Sequence, residues 1–148
     1  MGLFDSFNIS ASALTAQRLR MDIISQNIAN VNTTRTEDGT PYRRKVVVFQ
    51  EKEADIPFSQ YLSEQSRKRF MTGGGVRVAA IVEDPTPFKE VYDPSHPDAD
   101  ENGIVRMPNV EIVTEMVNMI SATRAYEANI TALNASKSMA SKALEIGR

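Results

Sequence analysis

Between Asp5 and Val31 apolar side chains return at every seventh residue: Phe7, Leu14, Met21 and Ile28 form one series, with Ile24 and Val31 at the companion position. This spacing predicts a helix with one adhesive stripe. Ser10 and Gln17 hold the earlier companion positions, so the seam begins polar and becomes apolar toward its C-terminal half. The helix is predicted to end near Asn32, where Thr33, Thr34, Asp38, Gly39 and Pro41 favour turns.

The pattern then changes. Tyr42 to Gln50 contains Val46, Val47, Val48 and Phe49, and Val76 to Val82 is again rich in β-branched residues, so both segments read as strands. Ile56 to Met71 is mixed and fits either a short helix after Pro57 or a loop. A third extended piece is expected at Phe88 to Tyr92. Around it Pro85, Pro87, Pro94 and Pro97 rule out regular helix.

From Asn109 onward there is no proline, and glycine returns only at Gly147. About 36 residues can therefore form one helix roughly 50 Å long. Ile112, Met119, Tyr126, Leu133 and Ala140 make one heptad series, and Met116, Thr123, Ile130 and Leu144 the other, interrupted by Lys137. A second strip, Val110, Val113, Val117 and Ile120, widens the apolar face of the first half, so something besides the N-terminal helix should cover it.

Each stripe needs an apolar partner, and the other terminus supplies one. The expected class is therefore α+β, with long terminal helices packed as an antiparallel, coiled-coil-like pair around a small β-rich middle. In residues, this is a helical domain of 1–40 plus 105–148 and a middle segment of 41–104.

Composition narrows the function. A length of 148 residues suits one compact unit, and 41% hydrophobic with 24% charged residues excludes wholesale disorder. A net charge of −2 argues against a nucleic-acid binder, which needs clustered excess Lys and Arg; the dense basic run, Arg67 to Arg69, reads as a solvated turn beside Gly73 to Gly75. With no cysteine there is neither disulfide nor thiol chemistry. No apolar run approaches the roughly 20 residues of a membrane span. The N-terminus lacks the pattern of a cleaved secretory signal, so export would have to read uncleaved sequence.

Several motifs invite chemistry and fail on detail. Asp98, Asp100, Asn102 and Gly103 match the first half of a calcium loop, whose twelfth position should be a bidentate Glu but is Asn109, with Glu111 two residues late. A calcium-binding interaction module using Asp98 to Asn109 is the alternative this match leaves. His96 is the single histidine and has no partner for a zinc centre or catalytic triad. Nineteen acidic residues make chance carboxylate pairs inevitable, so a carboxylate hydrolase would need a concave pocket. The glycine triplet lacks the lysine and helix start of a phosphate loop and reads as a hairpin or hinge. Met1, Gly2 and Ser6 fit a myristoylation pattern, and Asn8, Asn32, Asn129 and Asn134 open glycosylation triplets, three of them on or beside predicted helices. Leu3, Phe4 and Phe7 read instead as apolar contacts that tie down the terminus. These residues indicate no enzyme, cofactor, metal or small-molecule substrate.

Two blocks carry a family likeness. Asn27, Ile28, Ala29 and Asn30, followed by Val31 to Thr34, resemble the signature of the rod and hook group of flagellar axial proteins. Pro108 to Val110, Glu115, Met116 and Arg124 to Asn129 resemble the C-terminal signature of its rod members, and Tyr92 to Asp100 is similar to a proximal-rod subgroup. Arg35, where relatives often carry glycine, and Ile104 to Met107, less aromatic than the pattern, depart from it. The resemblance implies a proximal-rod subunit, exported through the flagellar type III apparatus and assembled in the periplasm with copies of itself and other rod proteins. The implied assembly interface is Leu14, Met21, Ile24, Asn27, Ile28, Asn30 and Val31 on the first helix, and Ile112, Met116, Met119, Tyr126, Ile130 and Leu133 on the last.

Overall fold

The computed structural model describes residues 3–52 and 74–146. The order is helix α1 (Leu3–Ala29), strands β1 (Lys45–Glu51), β2 (Val76–Glu83), β3 (Lys89–Tyr92) and β4 (Ile104–Met107), and helix α2 (Ile112–Ile146). The architecture is α+β, two long terminal helices with small antiparallel sheets between them, as the hydrophobic spacing predicted. Ile56 to Met71 and the basic run Arg67 to Arg69 lie outside the described residues.

The strands form two separate pairs, β1 with β2 and β3 with β4. At one end of the first pair the Lys52 N–H donates to Gly75 O (2.9 Å) and the Gly74 N–H to Lys52 O (2.8 Å); at the other the Asp84 N–H donates to Arg44 O (2.8 Å). The start of β1 thus faces the end of β2. β3 and β4 pair antiparallel, with Glu90 opposite Arg106 and Val91 opposite Val105. Sequence reading did not anticipate β4, because four residues between Gly103 and Pro108 are too few to show a period; pairing with β3 defines it.

The chain divides into two compact units. One comprises residues 1–18, 49–79 and 124–148; the other comprises 19–48 and 80–123. In the first, Ser12 Oγ donates to Ile9 O (2.7 Å) and accepts the Val76 N–H (3.1 Å). Gly75 passes so close that a Cβ there would collide with Ser12 Oγ, and its φ of +103° is strained for any side chain. Glycine at that position is thus a packing requirement.

In the second unit α1 and α2 run antiparallel, since the Thr123 hydroxyl meets Met21 Sδ (3.6 Å) and Asn27 meets Glu115 (2.9 Å). Its core holds Ile23, Ile24, Tyr42, Val105, Val110 and Ala122. The segment Asp93 to Gly103 folds back on itself: the Asp93 N–H reaches Gly103 O (2.9 Å), and the Gly103 N–H reaches Asp100 O (2.8 Å). Gly103 has φ +73°, a conformation that strains any side chain, and a Cβ there would crowd Tyr92 and Pro94.

Candidate assembly surface and the polar node that orders it

Two opposite faces of the first turns of α2 dominate the second unit. On the inner face Glu115 is only 1% exposed, an unusual position for a carboxylate. Arg44 donates to its Oε1 from both Nε (3.0 Å) and Nη2 (2.7 Å), and Asn27 Nδ2 donates to Oε2 (2.9 Å). Arg44 also donates from Nη1 to Asp84 Oδ2 (3.0 Å). The guanidinium is thus shared between a buried and a partly exposed carboxylate.

Asn27, also 1% exposed, has every side-chain hydrogen-bonding group occupied. Its amide donates to Glu115 and to Lys45 O (2.9 Å); its oxygen accepts the Tyr42 hydroxyl (3.0 Å) and the Lys45 N–H (3.0 Å). Asparagine is the residue that can present two donors and a double acceptor here. Aspartate would put a second carboxylate beside Glu115, and leucine would leave four polar partners short of a bond. The Arg44 N–H donates to Asn109 Oδ1 (2.8 Å), while Asn109 Nδ2 donates to Thr86 Oγ1 (2.8 Å). Side chains and backbone from five separate stretches of chain therefore close one network.

Charge follows from this geometry. Burial pulls the Arg44 pKa down, but hydrogen bonds and proximity to Glu115 and Asp84 outweigh it and hold the guanidinium above its ordinary value. Burial, then the nearby Glu115 and Glu83 carboxylates, push the Tyr42 hydroxyl up, so it stays a neutral donor to Asn27. The Thr86 N–H and hydroxyl, then Arg44, hold Asp84 below the usual carboxylate range.

The outer face of the same turns is apolar and exposed: Ile112 (42%), Val113 (69%), Met116 (53%), Val117 (61%) and Ile120 (55%). These positions fall on one side at helical spacing. Of the expected second strip, Val113, Val117 and Ile120 lie here, whereas Val110 is buried.

The residues expected at an assembly interface are distributed unevenly. Ile24 and Asn27 are buried inside the subunit; Leu14, Met21, Ile28, Asn30, Val31, Met119, Tyr126 and Leu133 are half-buried; Ile112, Met116 and Ile130 are exposed. Arg44, Tyr42 and Asp84 were missed by sequence reasoning. A charged Glu115 between Ile112 and Met119 was the legible signal, but its partner Arg44 lies 71 residues away.

Elsewhere among the described residues the polar groups do not converge on chemistry. An open cleft of about 370 Å³ is lined by Thr34, Arg35, Asp98, Asp100 and Arg106, among others. Within it Asp98 Oδ2 accepts the Thr34 hydroxyl (2.7 Å). His96 Nδ1 accepts the Asp98 N–H (3.1 Å), which is turn geometry. Among the described residues no three His, Cys, Asp or Glu side chains are grouped to hold a metal ion, and the calcium reading gains no support from this loop.

Comparison with known proteins assigns the class first. Residues 7–35 match the family described as "Flagella basal body rod protein", and residues 101–146 match "Flagellar basal body rod FlgEFG protein C-terminal". The two matches cover most of α1 and all of α2, which marks the chain as a flagellar rod protein. Over its whole length it is 51% identical to the flagellar basal-body rod protein FlgC of Bacillus subtilis, with both chains fully covered. It is 52% identical to that of Borreliella burgdorferi over 99% of this chain and 98% of the relative, and 45% identical to that of Salmonella typhimurium over the full length of both. The chain belongs to the flagellar basal-body rod protein FlgC family, whose members are structural proteins of the basal body.

Proposed function

We propose that this protein is a structural subunit of the proximal rod of the bacterial flagellar basal body, joining it through its terminal helices. The observation that carries the reading is the exposed row Ile112, Val113, Met116, Val117 and Ile120 on a helix anchored from its opposite side, in a chain of the rod family. Burying such a row against neighbouring helices releases roughly 25 cal/mol per Å² of apolar surface, and an exposed contiguous apolar patch marks an interaction surface. Residues 1–40 with 105–148 would form the axial part and 41–104 the outer part. Ile112, Met116 and Ile130 would face neighbours first, with half-buried Leu14, Met21, Ile28, Asn30, Val31, Met119, Tyr126 and Leu133 contributing at the margins, while buried Ile24 and Asn27 act by shaping the subunit.

Copies of this chain and other rod proteins are the partners this reading supplies, with passage through the flagellar export apparatus without a cleaved signal. The protein catalyses no reaction in this role. The test is Val117→Asp against Glu90→Lys, an exposed charge reversal on β3. With synthesis, export and thermal midpoint matched, Val117→Asp is expected to be lost from purified basal bodies while Glu90→Lys is retained. Equal retention would remove the α2 face from the assembly.

A further inference from the structure

The loop of residues 33–42 is held by its own hydrogen bonds. The Tyr42 N–H donates to Thr33 O (3.1 Å), the Thr36 N–H to Thr40 O (2.9 Å) and the Gly39 N–H to Thr36 O (2.9 Å), which closes the tip as a tight turn. The Thr34 hydroxyl, donating to Asp98 Oδ2 (2.7 Å), ties the loop to the segment Asp93 to Gly103. Side chains on a backbone fixed in this way lose less freedom when something docks on them.

Two open clefts meet along this loop and share Thr40 and Pro41. The first, of about 370 Å³, holds Arg35 and Arg106 with Asp98 and Asp100; the second, of about 430 Å³, holds Glu37, Asp38 and Glu83 with Arg43 and Lys45. By residue count the charges in each nearly cancel, but the internal contacts leave them unbalanced. In the first cleft Asp98 is occupied by Thr34, while Arg35 and Arg106 are exposed and make no side-chain hydrogen bond or ion pair among the described residues. In the second the cations are the occupied groups: Arg43 Nη1 donates to Asp84 O (3.2 Å) and its Cζ lies 4.5 Å from the centre of the Phe88 ring, and Lys45 Nζ lies 5.8 Å from the centre of the Tyr42 ring. Glu37, Asp38 and Glu83 are exposed and without such partners. The uncommitted charge is therefore guanidinium in one cleft and carboxylate in the other, and the planar fork of an arginine matches the two oxygens of a carboxylate.

We propose that copies of this chain meet at this loop, with Glu37, Asp38 and Glu83 of one copy set against Arg35 and Arg106 of the next. This rests on the rod-subunit reading and assigns it a second surface, away from the α2 stripe, whose partner is another copy. One subunit carries both halves of the contact, which is the argument for a copy as the occupant. Because the halves are different patches, the contact is heterologous and repeats from subunit to subunit instead of closing after two. Exposed charges are screened by salt, so the contact is weak by itself. It acts once the apolar stripe has brought copies together, when it selects the orientation in which opposite charges face each other.

The experiment compares retention in purified basal bodies of three variants: Arg35→Glu with Arg106→Glu, Glu37→Lys with Asp38→Lys, and the chain carrying all four changes. Synthesis, export and the thermal midpoint of the free chain are matched first. Each double reversal sets like charges against each other and is expected to lower retention at least fivefold; the fourfold reversal restores opposite signs and should return to within twofold of wild type. Cysteines then identify the neighbour, since the chain has none of its own. Asp38→Cys and Arg106→Cys chains made together should give a disulfide-linked dimer in basal bodies that neither gives alone. Wild-type retention of the double reversals overturns the contact, as does a fourfold reversal no better than the doubles, or cysteines that link to a different protein or to nothing. Loss of Val117→Asp while every charge variant is retained removes this contact and leaves the rod reading standing, whereas absence of the wild-type chain from basal bodies overturns both.

Discussion

The two faces of α2 between Ile112 and Thr123 differ in a way that reverses the usual expectation. The inner face carries a buried carboxylate, an asparagine contact and an alanine, Ala122, with no exposure at all; the outer face carries five large apolar side chains open to solvent. In an ordinary monomer the large apolar residues would turn inward and the charge outward. Under the proposed function, the difference places stability and assembly on opposite sides of the same turns. Polar contacts of defined geometry fix one register inside, and the apolar stripe, whose attraction is non-directional, stays open to solvent in the single subunit.

Breaking the inner face should have the largest effect on the free subunit. Arg44→Met leaves the Glu115 carboxylate buried without its counter-charge and is expected to destabilise the fold by about 3 to 5 kcal/mol in denaturant unfolding. The double variant Arg44→Met with Glu115→Leu removes both charges and should recover most of that loss. If the single variant unfolds at the wild-type midpoint, the inner face contributes no electrostatic order.

A smaller effect sharpens the edge of the same network. The folded pKa of Asp84 is depressed, so its contribution to stability is present above the unfolded value and lost as pH falls through the folded one. Wild type and Asp84→Asn should therefore differ at neutral pH and converge once the medium is well below about pH 4, the unfolded carboxylate range. Urea midpoints measured across this interval give the check, and curves that stay parallel would mean that the hydrogen bonds from Thr86 and Arg44 do not favour the charged form.

The smallest effect belongs to the outer face. Val113→Ser at a side chain 69% exposed is expected to change the stability of the free subunit by no more than about 0.5 kcal/mol. A thermal melt of the free chain decides this. A large loss would show that the stripe is already packed within the subunit, and the contrast between the faces would collapse.

Periodicity over long windows made the two helices legible, because 27 and 35 residues give many chances for a heptad pattern to appear. Val46 to Phe49 and Val76 to Val82 declared strands through their β-branched content, whereas β4 was too short to do so. The family likeness was legible too, since Asn27, Asn109 and Glu115 stand in its signature blocks. Their physical role was not.

The amino-acid order by itself determined where helices and strands can form, which turns need glycine, and that α2 bears more apolar surface than one partner helix can cover. Tertiary structure alone decided which side of α2 is inner. Hydrophobic spacing placed Ile112 in one series with Met119, yet the helix turns so that Glu115 and Ala122 face the core and Ile112 is exposed. The reason is that a period reports the direction of large side chains, whereas orientation here is set by hydrogen bonds between residues dozens of positions apart, and these exist only once Asn27, Arg44 and Glu115 have met.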